Sequence, residues 1–233
     1  MEKKTLGIIG GVGPLATMQI GEMIVRKTVA EKDQDHVNMV ITNNTTIPDR
    51  TAFILGESEE SPVPYIVKDM HKLAQAGAEV LIIPCNTAHS FYEDLVAESP
   101  IPVINMIDET VQAVQRRGAK RIGILATSGT ISTCIYQDAC DRFGVEAIIP
   151  NEKTQQLVMS LIYEDVKAGR PASKEKWLLI DEAMQEAACD VLILGCTELA
   201  IVQQELGLTN CVDSLTVLAE VAIEKCGYQL KNV

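Results

Sequence analysis

The chain contains 233 residues, of which 47% are hydrophobic and 22% charged, so it can bury the core of one large domain or of two small ones. Its formal net charge of −12 repels nucleic-acid phosphates and anionic membrane surfaces, and an aromatic content of 4% offers little for base stacking. No apolar run approaches the ~18 residues of a membrane span. Nucleic-acid and membrane partners are therefore not expected.

Short aliphatic segments alternate along the chain with longer amphipathic segments. Strands are predicted at 6–9, 38–42, 80–84 and 101–104, and in the second half at 121–126, 145–149, 191–194 and 210–212. The clearest helical patterns lie at 65–76, 107–117, 155–168 and 174–188. Continuous apolar strands separated by helices are typical of parallel sheets covered on both faces. The predicted fold class is α/β, with two similar domains, each a four-stranded, mostly parallel sheet flanked by helices.

Two pairs of segments repeat between the halves. "LGIIGGVGP" (6–14) aligns with "IGILATSGT" (122–130), and "VLIIPCNTA" (80–88) aligns with "VLILGCTEL" (191–199). Two buried strands can look alike by composition alone, but composition does not explain a cysteine after both strands at nearly the same offset. The halves are therefore interpreted as a pseudo-twofold pair that arose by duplication, with a boundary near 105–118.

The first turn, "GGVGPLA", contains a G-x-G-x-x-A pattern between a strand and a helix, which superficially fits a dinucleotide fingerprint. The acidic residue that such a site needs after the second strand is missing, since that strand ends in Thr42, Asn43 and Asn44. Pro14 also removes an N–H from the start of the helix. A tight turn that frames a small pocket is predicted here, rather than nicotinamide binding.

The seven cysteines are odd in number and include no CxxC pair. This argues against a disulfide framework or a zinc ribbon and predicts reduced thiols in a cytoplasmic protein. Five of the cysteines are interpreted as buried, inert thiols. Cys85 and Cys196 differ because each follows a strand and precedes a predicted helix in an equivalent context. Ligands of parallel sheets bind beyond the carboxyl ends of the strands, so these two thiols are candidates for one site.

Two thiols on opposite faces of a small carboxylate suit the inversion of a stereocentre. One thiolate removes a proton and the other thiol returns one from the far side, and in principle neither step needs a metal or an organic cofactor. The predicted helix N-termini after both cysteines favour thiolate over thiol. His89 could form a Cys/His or zinc pair with Cys85, but support of the Cys85 loop is the simpler interpretation. Glu198 is either a group that assists Cys196 or a solvated acid at a helix start.

Motifs that cover nearly the whole chain, in order, resemble those of the aspartate/glutamate racemase family. They are "GIIGGVGPLAT", "NNTTIPDRT", "PCNTAH", "ATSGT", "YEDVKAG" and "GCTEL". Among them, "IPDRT" is most similar to the branch of cofactor-independent aspartate racemases. The resemblance implies interconversion of L- and D-aspartate by a two-base mechanism without PLP. It also implies a homodimer and no cofactor.

By the same resemblance, Cys85 and Cys196 match the two catalytic cysteines. Arg50 and Lys167 match the cations that hold the side-chain carboxylate of the substrate, and solvated surface charge is the alternative for both. The residues that match the polar groups around the α-carboxylate are Asn86, Thr87, Thr127, Ser128, Thr130 and Thr197.

In this family the last helix folds back onto the first domain. The expected domains are therefore residues 1–105 with 213–233, and residues 106–212. The sequence departs from the family at "NNTT" and at "CVDSL", where a proline is common, and neither departure removes a catalytic group.

Other enzymes of this scaffold share the two cysteines and stay open as alternatives. They are glutamate, dual-specificity and hydantoin racemases and maleate isomerases, although Arg50 and Lys167 favour a second carboxylate and so disfavour hydantoins. Aspartate and glutamate differ by one methylene, which a pocket discriminates only ~10–200-fold. A non-catalytic module that binds a dicarboxylate is the remaining alternative.

Overall fold

A computed structural model describes residues 2–231 of the chain, which form two parallel β-sheets flanked by helices. The strands are β1 (Leu6–Gly10), β2 (Met39–Asn43), β3 (Val80–Ile82), β4 (Arg121–Ala126), β5 (Glu146–Ile148), β6 (Val191–Gly195) and β7 (Cys211–Asp213). The helices are α1 (Pro14–Lys27), α2 (Arg50–Ile54), α3 (Val63–Gln75), α4 (Tyr92–Glu98), α5 (Met106–Arg116), α6 (Ser128–Ser132), α7 (Ile135–Phe143), α8 (Glu152–Ser160), α9 (Lys174–Glu186), α10 (Thr197–Leu206) and α11 (Ser214–Lys225). The predicted α/β class with two parallel sheets is confirmed.

The first sheet has three strands in the order β2-β1-β3, all parallel. Every residue of β1 is buried, as expected for the central strand of a sheet covered on both faces. The prediction of a fourth strand at 101–104 was wrong, because this segment makes only a single parallel bridge between Val103 and Leu81. Pro100 and Pro102 have no backbone N–H, so the segment cannot extend the ladder beyond that bridge.

The second sheet has four parallel strands in the order β5-β4-β6-β7. In each sheet the first strand in chain order lies between the second and the third. The segment that follows the third strand then pairs with that third strand, through the bridge at Val103 in the first sheet and as β7 in the second. The same order therefore occurs twice along the chain. This agrees with the internal repeat seen in the sequence, while the pseudo-twofold relation itself stays a prediction.

The chain divides into two compact units, Met1–Met106 with Leu215–Val233, and Ile107–Ser214. Each unit has its own apolar core. In the first, Ile9, Leu81 and Ile83 pack against the inner face of α3, and in the second, Leu125 and Leu194 pack against α8 and α9. These limits lie one or two residues from the expected domain boundaries, and independent folding of the two domains stays a prediction.

Two connections that position candidate residues have local structure of their own. The long link after β2 contains the short helix α2, whose first turn is capped by the side chain of Asp49 through a hydrogen bond from Ala52 N. The predicted helix at 155–168 is α8 followed by a π-helical turn at Leu161–Val166. Over residues 2–231, no helix is both long and apolar enough to cross a membrane.

Candidate active site

Cys85 lies just beyond the carboxyl end of β3, in the position that parallel sheets use for ligands. Its side chain is buried, and Asn86 and Thr87, which follow it, are buried too. A 3-10 helical turn at Thr87–Phe91 then leads into α4. The structure thus brings Cys85, Asn86 and Thr87 together at one strand end. The helix expected directly after Cys85 is this short turn instead.

His89 stabilises the backbone of the Cys85 turn through two hydrogen bonds. Its Nε2 accepts a hydrogen bond from Met106 N at 3.2 Å, and its Nδ1 lies 2.9 Å from the carbonyl oxygen of Cys85. Because a backbone N–H can only donate, Nε2 must be the bare nitrogen, and Nδ1–H must therefore donate to Cys85. His89 is a neutral, buried support of the Cys85 backbone, and this agrees with the simpler of its two interpretations.

The glycine turn after β1 is closed by contacts within the protein. Gly11 N donates to Thr17 Oγ1 at 3.0 Å, and Thr17 Oγ1 in turn donates to Gly13 O at 2.9 Å. Gly11 has a φ of +90°, and a Cβ built there would lie 2.3 Å from the backbone of Asn44. Glycine is needed at this position both for the dihedral angle and for the close approach of the β2 end. The turn is therefore tight, as the sequence predicted, while the small pocket that it was expected to frame stays a prediction.

Cys196 lies at the equivalent position in the second unit, between the end of β6 and the start of α10. The residue before it must be small. A Cβ built on Gly195 would lie 2.8 Å from Cε2 of Tyr136 and 3.2 Å from Cβ of Ala126. Tyr136 is fully buried and its hydroxyl is hydrogen-bonded to Ser214 and Thr110, so its ring cannot move aside easily. The tyrosine ring thus fixes the backbone on which Cys196 is carried.

The thiol of Cys196 is hydrogen-bonded to a carboxylate. Its Sγ donates to Oε2 of Glu198 at 3.0 Å, and the hydroxyl of Thr197 donates to the same oxygen at 3.3 Å. Burial and the negative charge of Glu198 raise the pKa of Cys196 well above its usual value, against the opposing charge of Lys167. The backbone N–H of Glu198, at the start of α10, lowers this pKa as the helix N-terminus was expected to do, but the thiol is still the favoured form of Cys196. Desolvation and the adjacent carboxylate outweigh the helix dipole.

Lys167 lies at the end of the π-helical turn, and its side chain is 28% exposed. Its ammonium is 3.9 Å from Oε1 of Glu198 and 4.4 Å from the centre of the Tyr163 ring. The turn is anchored by Asp165, which accepts hydrogen bonds from Ser173 N at 3.2 Å and from Lys176 Nζ at 2.8 Å. The structure thus places Lys167 beside the Cys196–Glu198 pair and gives its ammonium a partner within the protein.

The small polar residues after β4 form the first turn of α6. Thr127 is the N-cap, and its hydroxyl oxygen accepts a hydrogen bond from Thr130 N at 3.2 Å while lying 3.0 Å from Thr130 Oγ1. Both threonines are buried, and Ser128 is half-buried. Ser128 lines an open cavity of about 460 Å³ with Tyr163, and neither Thr127 nor Cys196 lines that cavity.

Arg50 is the first residue of α2 and only 8% exposed, although it carries a charge. Its Nη1 donates to the carbonyl of Pro48 at 3.1 Å. A buried arginine is uncommon, because a charge that leaves water must be compensated. This burial disagrees with the alternative of a solvated surface charge.

The predicted residues therefore fall into two groups, one in each compact unit. The first unit holds Arg50, Cys85, Asn86 and Thr87, and the second holds Thr127, Ser128, Thr130, Lys167, Cys196 and Thr197. No group of three or more His, Cys, Asp or Glu side chains suited to a metal ion occurs within residues 2–231.

Tyr163 was missed by the sequence reasoning, and so was the direct contact between Glu198 and the thiol. The spacing of four residues between Tyr163 and Lys167 is a signal for a contact on one helix face, and it could have revealed that pair. The two-residue separation of Cys196 and Glu198 carries no such signal, because residues two apart do not share a helix face.

Comparison with known proteins finds relatives that match most of the chain. A sequence model of the Asp/Glu/Hydantoin racemase family matches residues 9–222. The broad specificity amino-acid racemase RacX of Bacillus subtilis is 27% identical, over 94% of this chain and 96% of that protein. A glutamate racemase of Aquifex aeolicus is 30% identical, over 85% of this chain and 74% of that protein. The solved structure of Picrophilus torridus aspartate racemase superimposes with a TM-score of 0.84 and 32% identity, covering 98% of this chain and 96% of that one.

Proposed function

The chain belongs to the Asp/Glu/Hydantoin racemase family, and we propose on that basis that it interconverts L- and D-aspartate without PLP. It is an amino-acid racemase. Aspartate as its substrate is the part that we propose. The observation that carries the proposal is the pair of buried free thiols, Cys85 and Cys196, each just past the carboxyl end of the third strand of its unit. The 32% identity with an aspartate racemase over 98% of the chain supports the choice of substrate.

In the proposed mechanism, one cysteine acts as a thiolate and removes the α-proton, while the other, as a thiol, protonates the opposite face. The electron pair of the broken Cα–H bond passes into the α-carboxylate, so that group gains charge in the transition state. Hydrogen-bond donors around it must stabilise this charge. Asn86, Thr87, Thr127, Ser128, Thr130 and Thr197 are proposed to supply them.

Arg50 and Lys167 are proposed to bind the side-chain carboxylate of the substrate. The burial of Arg50 supports this role, since a guanidinium held away from water can form a charge-assisted pair with an incoming carboxylate. The ammonium of Lys167 lies 3.9 Å from Glu198, so it would have to serve two carboxylates when the substrate is bound. In a protein with a net charge of −12, two such cations give an anionic substrate a local attraction.

A glutamate or dual-specificity racemase is the second candidate. The 30% identity with a glutamate racemase and the similarity to a broad specificity racemase favour it. A difference of one methylene gives a hydrophobic pocket only ~10–200-fold discrimination. The test must therefore include both amino acids.

Proton NMR of L-aspartate with the purified protein in D₂O, without added PLP, tests the proposal. Loss of the α-proton signal together with the appearance of D-aspartate is expected. Cys85→Ser and Cys196→Ser should each abolish racemisation. Cys134→Ser is the matched control, because the thiol of Cys134 is exposed; the interpretation of Cys134 as a buried thiol was wrong. Exchange with glutamate but not aspartate would move the assignment to the second candidate. Binding of aspartate without exchange would identify a non-catalytic binder.

We further propose that the protein is a cytoplasmic homodimer, as the resemblance to its family implies. Light scattering at a series of concentrations would measure its mass directly. A monomer mass throughout that range would contradict the dimer.

A further inference from the structure

We propose that Asp69 and Asn44 are positioning residues for Arg50, and that the hydrogen bond between them sets the affinity for the side-chain carboxylate of the substrate. This inference rests on the proposed function, in which Arg50 binds that carboxylate, and it adds the groups that hold the arginine in place. The starting observation is a carboxylate that the proposed mechanism does not use. Asp69 is fully buried, yet it takes no part in the proton transfers.

Asp69 lies among the buried residues of α3, which are otherwise Ile66, Met70 and Leu73. An acid in such an apolar stripe breaks the pattern of an amphipathic helix and must be compensated. Both of its oxygens have a donor. Oδ2 accepts a hydrogen bond from Asn44 Nδ2 at 2.9 Å, and Oδ1 accepts one from Lys72 Nζ at 2.6 Å. Lys72, whose side chain is half exposed, supplies the counter-charge, and Asn44 is the partner that lies outside the helix.

Asn44 connects this carboxylate to residues 44–49, the segment between β2 and α2 that we call the β2 loop. Its Oδ1 accepts hydrogen bonds from Thr46 N at 3.2 Å and from Thr46 Oγ1 at 2.6 Å. Its backbone N donates to Gly10 O at 3.1 Å, at the end of the central strand β1. The amide of Asn44 therefore uses both of its ends, one for α3 and one for the loop, while its backbone is fixed on the sheet.

The β2 loop leads directly to Arg50. Ile47 N donates to Asn44 O at 3.4 Å, and the side chain of Ile47 is packed in the apolar core of the first unit. Pro48 O then accepts the hydrogen bond from Arg50 Nη1 at 3.1 Å. A guanidinium bound to a carbonyl of the loop moves with the loop, so the place at which Arg50 meets a carboxylate depends on residues 44–48.

Hydrogen bonds have to fix the start of this loop, because its covalent structure does not. Residues 43–46 read Asn-Asn-Thr-Thr and contain no proline, whose ring would restrict the backbone. Thr45 and Thr46 are both exposed, so burial contributes little to holding them. The side chain of Asn44 is thus the link between the exposed part of the loop and the buried face of α3.

The variant Asn44→Ala removes this link and keeps the backbone contacts. The apparent affinity of a site falls with the fraction of the protein that is in the binding-competent conformation. Loss of these hydrogen bonds should therefore raise KM for aspartate about 5–50-fold, while the bound substrate reacts with nearly the same kcat. A role limited to overall stability has the opposite signature, because unfolded protein lowers the apparent kcat and leaves KM unchanged.

Exchange of the two side chains tests their direct contact. Asn44→Asp places two carboxylates against each other and removes the donor, so it should raise KM at least as much as Asn44→Ala. The double variant Asn44→Asp/Asp69→Asn restores one donor and one acceptor, and KM should return to within about threefold of the wild-type value. Asn44→Asp/Asp94→Asn is the matched control. It has the same net charge, but Asp94 is an exposed acid of α4, and its replacement should restore nothing.

The effect on Arg50 is measured by combining two changes. In an Arg50→Gln protein, the position of the β2 loop no longer matters for the side-chain carboxylate, so Asn44→Ala should raise KM by less than about twofold. An equal increase in KM in both backgrounds would show that the network acts on another part of the site, and it would overturn the role proposed for Asp69 and Asn44.

The outcomes separate this inference from the function on which it rests. A wild-type protein that exchanges the α-proton of neither aspartate nor glutamate refutes both. An active wild type in which Asn44→Ala leaves KM unchanged refutes the positioning role alone, and so does equal recovery in the double variants with Asp69→Asn and with Asp94→Asn. If glutamate is the substrate, the same comparison is made with glutamate, because it carries the same second carboxylate.

Discussion

His89 offers a direct test of how the Cys85 turn is held in place. Replacing it with phenylalanine keeps a ring of similar size that can still stack on Tyr92, whose ring lies parallel at a centroid distance of 5.8 Å. The substitution removes two hydrogen bonds, one to the carbonyl of Cys85 and one from Met106 N. Loss of a buried polar partner costs about 1–3 kcal/mol for each group left behind, so His89→Phe should lower the free energy of unfolding by about 2–6 kcal/mol.

Urea titrations followed by circular dichroism would measure this change. His71→Phe is the matched control, because His71 is exposed and its replacement should change the free energy of unfolding by no more than about 0.5 kcal/mol. His89→Gln should recover part of the loss, since an amide can both donate and accept. A loss below about 1 kcal/mol in His89→Phe would refute the assignment of His89 as a support for the turn.

Two further predictions concern the second unit. Gly195→Ala should cost about 1–3 kcal/mol of folding free energy through overpacking, because the new Cβ would lie 2.8 Å from the ring of Tyr136. Gly21→Ala is its control, since the nearest atom to that Cβ lies at 3.5 Å, and unfolding curves of equal stability for both variants would contradict the argument. The third prediction is a loss of stability at alkaline pH. Burial raises the pKa of Cys140 to about 11 and that of Cys211 to about 12, above their value in the unfolded chain. The folded state therefore holds these protons more tightly, and this contribution is complete below about pH 8.5 and is lost as the pH rises through 11–12. Cys140→Ala should flatten the decline between pH 8 and 10 in urea titrations, and a slope equal to that of the wild type would show that Cys140 does not contribute.

The sequence alone was enough to predict the strands of both sheets, because their signal is local. Buried parallel strands are continuous aliphatic runs, and β4 spans the predicted residues 121–126. The exception is the segment at 101–104, which has the composition of a strand. Whether a segment extends a ladder depends on the N–H groups available to its neighbour, and Pro102 restricts that pairing.

The sequence also determined which residues are candidates for the chemistry. The repeat of a cysteine after a strand in each half singled out Cys85 and Cys196, and a repeat can be read without coordinates. What it did not determine is the protonation of either thiol. The helix N-terminus after Cys196 is visible in the sequence and argues for thiolate, whereas burial and the carboxylate of Glu198 act in the opposite sense.

Tertiary structure alone decided the partners of the polar side chains. The tautomer of His89 follows from the hydrogen bond that Met106 N donates to its Nε2. The position of Lys167 follows from a π-helical turn, which the hydrophobic periodicity of the sequence did not predict. Strand and helix propensities depend on a few adjacent residues. Hydrogen-bond partners and desolvation depend instead on groups brought together by the fold, often from distant parts of the sequence. For this reason the elements and the two thiols could be read from the sequence, while the proton on Cys196 could be assigned only from the structure.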